Sequence, residues 1–280
     1  MFKKGKNKLV AVLIIMLVVL SFSGCAKNSA NAGSSNNEAK NVESAVDKIK
    51  KSGKLVLGTS ADYPPYEFHK EINGKDEIVG FDIEIAKEIA KDLGVELEIK
   101  DMKFDGLLAA LQAGKIDLVI AGMTPTEERK KSVDFSNIYY KAEQAVIVRA
   151  EDKDKYKTTD DLKGKKIGVQ KGTTQEQIAK DEIQNAQLKS LGKVTDLVLE
   201  LQNKKVDALV VEHPVATSYV SKNAGMVISD VKFKDQDKGS AVAIKKGSTD
   251  LVNAVNKTLE RLNNEKLIDK FVIDANNMVE

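Results

Sequence analysis

The 280-residue chain has one cysteine, two histidines, four prolines and no tryptophan. A single cysteine leaves no disulfide to form within the chain. With His69 and His213 as the only imidazoles, no zinc site can be spaced from Cys and His, and no metal or other cofactor is expected. A Cys/His nucleophile pair would need Cys25, which its surroundings explain otherwise. An excess of one charge is lacking too. Lys and Arg number 44 against 42 Asp and Glu; setting aside Lys3, Lys4, Lys6 and Lys8, in a segment expected to be removed, leaves 40 against 42. That balance argues against nucleic acid, which selects a concentrated basic surface. The long apolar run at residues 9–20 is short of the roughly 20 residues a membrane span needs.

That run, LVAVLIIMLVVL, follows a cationic start and precedes Ser21-Phe22-Ser23-Gly24-Cys25. The order is that of a secretory signal peptide, residues 1–24. A cysteine directly behind small residues resembles a bacterial lipobox, with Phe22 where leucine is usual. Cys25 is then the lipidated first residue of a mature protein held on the outer face of a membrane, as in a Gram-positive cell. Residues 26–43 are polar and rich in Asn and Ser, so residues 25–52 are expected to be a flexible tether. A short helix over 42–51 would lead into the folded part.

What the chain does have is centred on residues 116–136. The apolar run 116–121 predicts a buried strand. Gly122 turns the chain, and Thr124-Pro125-Thr126-Glu127 predicts a capping box with proline at the first helical position. A strand running into a helix start leaves backbone N–H groups aimed above the sheet. Arg129 follows in the first turn, where a guanidinium can grip a carboxylate with two prongs. Alone, this stretch fits either an anion receptor or a capped surface helix.

Around it the pattern is α/β. Strands are expected at 54–60, 95–99, 144–149, 166–170, 206–211 and 239–244, and helices at 81–93, 105–113, 175–185, 194–201, 251–262 and 265–273. Asp82 is the expected cap of the helix at 81–93. Residues 61–68, with two prolines, predict a stiff aromatic loop that presents Tyr63 or Tyr66. Residues 78–80 return as a hairpin-like edge. Thr173 and Glu176 form a second capping box. Leu111-Gln112-Ala113-Gly114-Lys115-Ile116-Asp117 is echoed by Leu201-Gln202-Asn203-Lys204-Lys205-Val206-Asp207. Each stretch ends a helix and launches an apolar strand toward a polar tip, Gly122 to Arg129 in one case and Glu212 in the other. Two similar lobes of mostly parallel sheet follow, with ligand beyond the strands' carboxyl ends. The expected division is 53–141 plus 238–280 for lobe 1 and 142–237 for lobe 2, joined by a two-strand hinge near 139–143 and 235–240.

With GTSADYPPYEF, EIVGFDIEIAKEIAKDLG, FDGLLAALQAGKIDLVIAGMTPTEERKKSVDFS before Tyr139-Tyr140, LKGKKIGVQKGTT and KVDALVVE in hand, the chain resembles the amino-acid-binding proteins of ABC importers, which have the type II periplasmic binding fold. The likeness covers nearly all of residues 53–280. It implies that Arg129 clamps the α-carboxylate of a free L-amino acid. Gly122 and Thr124, with Ala121 before them, match the loop binding the same ligand by backbone and hydroxyl. Thr174 matches a further carboxylate contact. Glu212 matches the acid that receives the α-ammonium, where Asp is usual. Tyr63 and Phe104 match aromatic walls, Ser60 stands where many relatives carry Asp, and Gln170 matches a position facing the ligand side chain.

The combination looks most like arginine/lysine-type binders: an aromatic wall suits a guanidinium, and Glu67 adds negative charge. Glutamine, cystine or another polar amino acid is the alternative. The family's partners are a membrane permease and its ATPase, and a monomer is expected. Some dehydratases and murein-cleaving enzymes share the fold, but Glu67, Glu128 and Glu212 have simpler roles here and no catalytic set is recognisable. A receptor's sensor domain would need a spanning helix and a signalling domain, and neither is visible. His213 beside Glu212 reads as a loop histidine capped by Pro214 rather than a proton-transfer partner.

Overall fold

The computed structural model describes residues 43–234 and 238–279. The signal peptide, Cys25, the tether to residue 42 and linker residues 235–237 lie outside the described residues. Ala45–Ser52 is helix α1, capped by Ser44 and closed by Gly53 at φ 71°. It is docked, not free: Ile49 is buried, and the Val46 N–H donates to Asp250 at 2.7 Å. The expected tether therefore ends before this helix.

Lys54–Thr59 (β1) is followed by Asp62–Tyr63 (β2), Glu67–Ile72 (β3) and Lys75–Val79 (β4). The last three form a small antiparallel sheet, so the expected aromatic loop is strand at both ends. Phe81–Leu93 (α2) has the expected bounds and buries Ile85, Ile89 and Leu93. Its cap is Gly80, not Asp82, which instead lies buried on the inner face. Glu96–Asp101 (β5), Leu107–Gln112 (α3), Leu118–Val119 (β6) and Glu127–Lys130 (α4) follow. The side chain that caps α4 is Thr126, so Pro125 stands before the helix and the expected box at Thr124 is displaced by two residues.

Val133–Tyr140 (β7) was not anticipated as a strand. Its pairing with the C-terminal strand is broken by register shifts, so its burial does not alternate. Next come Gln144–Arg149 (β8), Lys166–Gln170 (β9), Thr174–Glu182 (α5), Gln187–Leu191 (β10), Val194–Gln202 (α6), Ala208–Glu212 (β11), His213–Lys222 (α7), Met226–Ile228 (β12), Ser240–Lys245 (β13), Thr249–Asn264 (α8) and Leu267–Val279 (α9). β10, β12 and α7 were not anticipated either. α7 opens on His213-Pro214, where proline sits in the first turn and needs no N–H, so the expected loop is helix.

Two five-stranded sheets carry the fold, ordered β5-β1-β6-β13-β7 and β10-β9-β11-β8-β12. In each, three neighbouring strands run parallel and the fourth, β13 or β8, is antiparallel to both its neighbours. The chain passes between the sheets after β7 and again before β13.

The sequence echo has a structural counterpart in the two sheets. Asp117 accepts from the Val56 N–H at 2.8 Å and Asp207 from the Lys166 N–H at 2.9 Å, each tying a β6-type strand to a β1-type strand. Gly58 and Gly168 hold matching places on those central strands. A Cβ at either would press on the helix behind, through Leu107 at 3.2 Å or Leu197 at 3.2 Å.

Gly80 joins the small sheet to α2. It has φ 130°, and a Cβ there would lie 2.6 Å from the Tyr66 carbonyl carbon and 2.9 Å from the Glu67 nitrogen. Both are backbone and cannot move aside. Gly80→Ala is expected to lower unfolding free energy by about 2–4 kcal/mol. Urea denaturation at constant m-value checks it; a loss under about 0.5 kcal/mol would contradict the close approach.

Candidate functional site

The polar strand tips of both sheets meet in one crevice. On the first side, the chain leaves β6 through Ala121, Gly122 and Thr124 and enters α4. The Thr126 hydroxyl accepts from the Arg129 N–H at 3.2 Å and so fixes the base of that side chain. The guanidinium donates to the Thr124 carbonyl at 2.7 Å and, across the crevice, to the Gly172 carbonyl at 2.8 Å. Its carbon lies 5.3 Å from the Phe104 ring centroid. Among the described residues no carboxylate pairs with it. Burial without a counter-ion pulls its pKa down to about 10, so it stays cationic at neutral pH.

On the second side, β9 ends at Gln170 and turns into α5. Thr173 caps α5 by accepting from the Glu176 N–H at 3.3 Å, and Glu176 reaches back to the Gly172 N–H at 2.7 Å. This sets Thr174 at the first helical position, facing Arg129. β11 ends at Glu212, which caps α7 and is buried. Its carboxylate accepts from the Tyr66 hydroxyl, and its N–H donates to the Tyr63 oxygen at 3.1 Å. No cation pairs with it among the described residues. Burial pushes its pKa up to about 8; the Tyr66 hydrogen bond opposes that and Asp82 adds to it.

Of the ten residues expected at the ligand, nine line this crevice. Tyr63, Phe104, Ala121, Gly122, Thr124, Arg129, Gln170 and Thr174 share its inner part. Glu212 borders an adjoining part that Thr124, Arg129 and Thr174 also line. Ser60 does not line it; its hydroxyl donates to Asp62 at 2.9 Å. The expected free N–H at Gly122 is already used, donating to Asp82 at 2.9 Å.

Sequence reasoning gave too little to the acids behind the site. Asp82 holds the Gly122 turn and also accepts from the Tyr139 hydroxyl at 2.8 Å. Its place on the apolar stripe of α2, in line with Ala86, Ile89 and Leu93, was the available signal. Glu67 lines the inner crevice, and neither of its carboxyl oxygens has a donor. Gln175 also lines it and was not anticipated; it donates to Gln144 at 2.9 Å. Burial raises the pKa of Asp82 to about 6 and that of Asp62 to about 6. Burial also raises that of Glu67, with Asp82 next in effect.

Contacts between the two sides ring the crevice. Lys171 pairs with Asp105 at 3.1 Å and Lys193 with Asp101 at 2.8 Å. The Tyr219 hydroxyl donates to the Asp62 carbonyl at 2.7 Å, and the Val194 N–H donates to the Asp62 carboxylate. Among the described residues no group of His, Cys, Asp and Glu could hold a metal, and no helix is long and apolar enough to cross a membrane.

A two-sheet α/β scaffold with a half-buried cation and buried acids facing one crevice defines a receptor for a small molecule with separated charges. Residues 55–273 match the model of the bacterial extracellular solute-binding proteins, family 3, and the chain belongs to that family. It is 36% identical over 265 residues to the arginine-binding extracellular protein ArtP of Bacillus subtilis, covering 93% of this chain and 95% of that one. It is 35% identical to the L-cystine-binding protein TcyJ of Escherichia coli, covering 79% and 81%. A crystal structure of the ABC transporter substrate-binding protein AbpA from Streptococcus pneumoniae, bound to L-arginine, superposes with a TM-score of 0.81 at 45% identity, covering 83% and 98%.

The raised pKa values of Asp62, Asp82 and Glu212 have a sign. The folded state holds protons that the unfolded chain releases at lower pH, so their contribution to stability is full in acid and is lost as pH rises through about 6 and then about 8. The ligand-free protein is therefore expected to melt higher at pH 6 than at pH 8.5. Glu212→Gln should flatten the upper part of that dependence. Scanning calorimetry across this range checks both; a midpoint that rises with pH would contradict the arrangement.

Proposed function

We propose that this protein is the extracytoplasmic binding component of an ABC importer and that it captures free arginine in the crevice between its two sheets. The observation carrying this reading is the half-buried Arg129, with no carboxylate partner among the described residues, on the same small crevice as buried acids that have no cation partner there. Arg129, Thr124 and the start of α5 at Thr174 suit an α-carboxylate. Glu212 suits the α-ammonium. Tyr63 and Phe104 suit the flat face of a guanidinium, with Gln170 beside them. Neither side supplies both poles, so ligand favours closure of the two lobes, 53–141 with 238–280 against 142–237, about the hinge. The arginine named with ArtP and AbpA supports the same ligand. The role is capture and delivery to a permease and its ATPase, by a monomer without catalysis.

We also propose that residues 1–24 are cleaved and that Cys25 carries the lipid holding the protein at the cell membrane. Cys25→Ser is then expected to move the protein from the membrane fraction to the medium, as immunoblotting of the two fractions would reveal. An unchanged membrane share would remove the anchor.

A thermal-shift screen of the common amino acids on residues 26–280 tests the ligand. Arginine at a hundredfold excess over its Kd should stabilise the protein by about 2.7 kcal/mol, an upshift of several degrees. Arg129→Ala should abolish the shift while the free protein still melts cooperatively. A shift with glutamine or cystine alone would reassign the ligand, and a shift only with sugars or peptides would defeat the reading.

A further inference from the structure

Helix α6 has no cap of its own. The residue before it is Lys193, whose side chain makes no capping hydrogen bond. α1, α4 and α5 are each capped by a hydroxyl directly before them, from Ser44, Thr126 and Thr173. The first N–H groups of a helix need an acceptor, and a carboxylate suits the positive end of the helix. For α6 the acceptor comes from the opposite side of the crevice. The Asp62 carboxylate, on β2, accepts from the N–H of Val194, the first residue of α6. Val194 is wholly buried, so bulk water does not reach that N–H while the two sides touch.

Asp62 is held in this posture from both sides. On its own side, the Ser60 hydroxyl donates to its other carboxylate oxygen at 2.9 Å. Asp101, at the end of β5, braces the same loop by accepting from the Ala61 N–H at 2.8 Å. From the second side, Lys193 pairs with Asp101 at 2.8 Å and lies 4.0 Å from Asp62. Tyr219 on α7 donates to the Asp62 carbonyl at 2.7 Å. The sides run close together here: a Cβ on Gly192, just before α6, would lie 2.6 Å from the Lys103 side chain opposite. Burial raises the Asp62 pKa only to about 6, with the Val194 N–H and Lys193 opposing, so the group is ionised at neutral pH and matches the helix end. Asp62 is not among the residues lining either part of the crevice.

We propose that Asp62 is a positioning residue for capture: by capping α6 from across the crevice it latches the two sides together and sets how long a bound ligand stays. This rests on the capture reading above and deepens it. It also gives Ser60 its use in this chain, which is to aim the Asp62 carboxylate rather than to touch the ligand. When the sides part, the Val194 N–H and the Tyr219 hydroxyl lose their acceptors together, and one residue has supplied both. Escape of an enclosed ligand requires that parting. Entry into an open crevice does not, so the latch acts on dissociation more than on association. Because Asp62 stands apart from the ligand, it slows release of whatever the crevice encloses and does not choose between ligands.

The test measures arginine association and dissociation by stopped-flow tyrosine fluorescence on the intact mature protein, as wild type, Asp62→Ala and Asp62→Asn. Arginine is expected to leave Asp62→Ala about fivefold faster, the usual effect of losing a helix cap, while its association changes less than about twofold. Asn caps a helix as well as Asp, so Asp62→Asn should restore dissociation to within about twofold of wild type. Unchanged dissociation in Asp62→Ala would overturn the inference, and so would a loss confined to association. Dissociation from Asp62→Asn as fast as from Asp62→Ala would overturn the cap as its cause. Amide exchange followed by NMR decides the matter even where a variant does not fold: in arginine-saturated wild type, a Val194 N–H that exchanges as fast as an open helix end would overturn the latch. Absence of arginine binding in the wild type would defeat the arginine reading alone. The same three proteins are then compared with the amino acid that the thermal-shift screen selects, and if none binds, capture and latch fall together.

Discussion

The centre of this molecule is governed by charges drawn out of water with no opposite charge beside them among the described residues. A desolvated ion is costly, and proteins ordinarily pair it. Among the described residues, Arg129 on one wall donates to carbonyl oxygens and meets no carboxylate, while Glu67 and Glu212 border the same crevice with no cation paired to them. Such an arrangement opposes stability and favours a ligand carrying the complementary poles. Burial answers by raising the pKa of each acid, which favours the neutral form. A ligand with charges at both ends would supply the missing partners, so its binding would relieve an electrostatic tension that the fold has built in.

The scaffold makes this possible by duplication of a plan. β1-α2-β5-α3-β6 and β9-α5-β10-α6-β11 have the same order, the same parallel core and the same aspartate tie between strands. Each sheet ends its strands in a polar tip, and the tips face one another. The tip carrying Arg129 is a turn and short helix, and the tip carrying Glu212 is an acid at a strand end. Aromatic side chains fill the space behind: Tyr66 packs on Phe81 with ring centroids 4.4 Å apart and on Tyr63 at 5.4 Å. These rings position the Tyr66 hydroxyl on Glu212 and exclude water from the acids.

Much of this was legible in the order of residues. Strong helical spacing located α2, α6, α8 and α9, and apolar runs located β1, β8, β9 and β11. The Thr173–Glu176 box set the start of α5. The elements that escaped had weak local signals. β7 bulges, β10 is half-exposed and short, and α7 hides behind His213-Pro214. The site's outer contacts were readable because Arg129 and Glu212 are polar residues at strand tips. Its inner wall was harder to read, since Asp82 looks like a helix cap when tertiary contacts are unknown. Only the fold brings Glu67, Asp82 and Glu212 together, from stretches far apart in the chain.

The place of β13 has a consequence for how the chain acquires its shape. This strand lies between β6 and β7, so the first sheet is split until residues 240–245 arrive. The second sheet draws all its strands from residues 144–228 and is complete much earlier in synthesis. Closing the first sheet means joining segments about a hundred residues apart, a slow entropic step for nonlocal pairing. A chain threaded outward from its amino end thus exposes two open strand edges on the first half while the second half is already assembled. That interval is when a secreted molecule of this design is most vulnerable to aggregation and proteolysis.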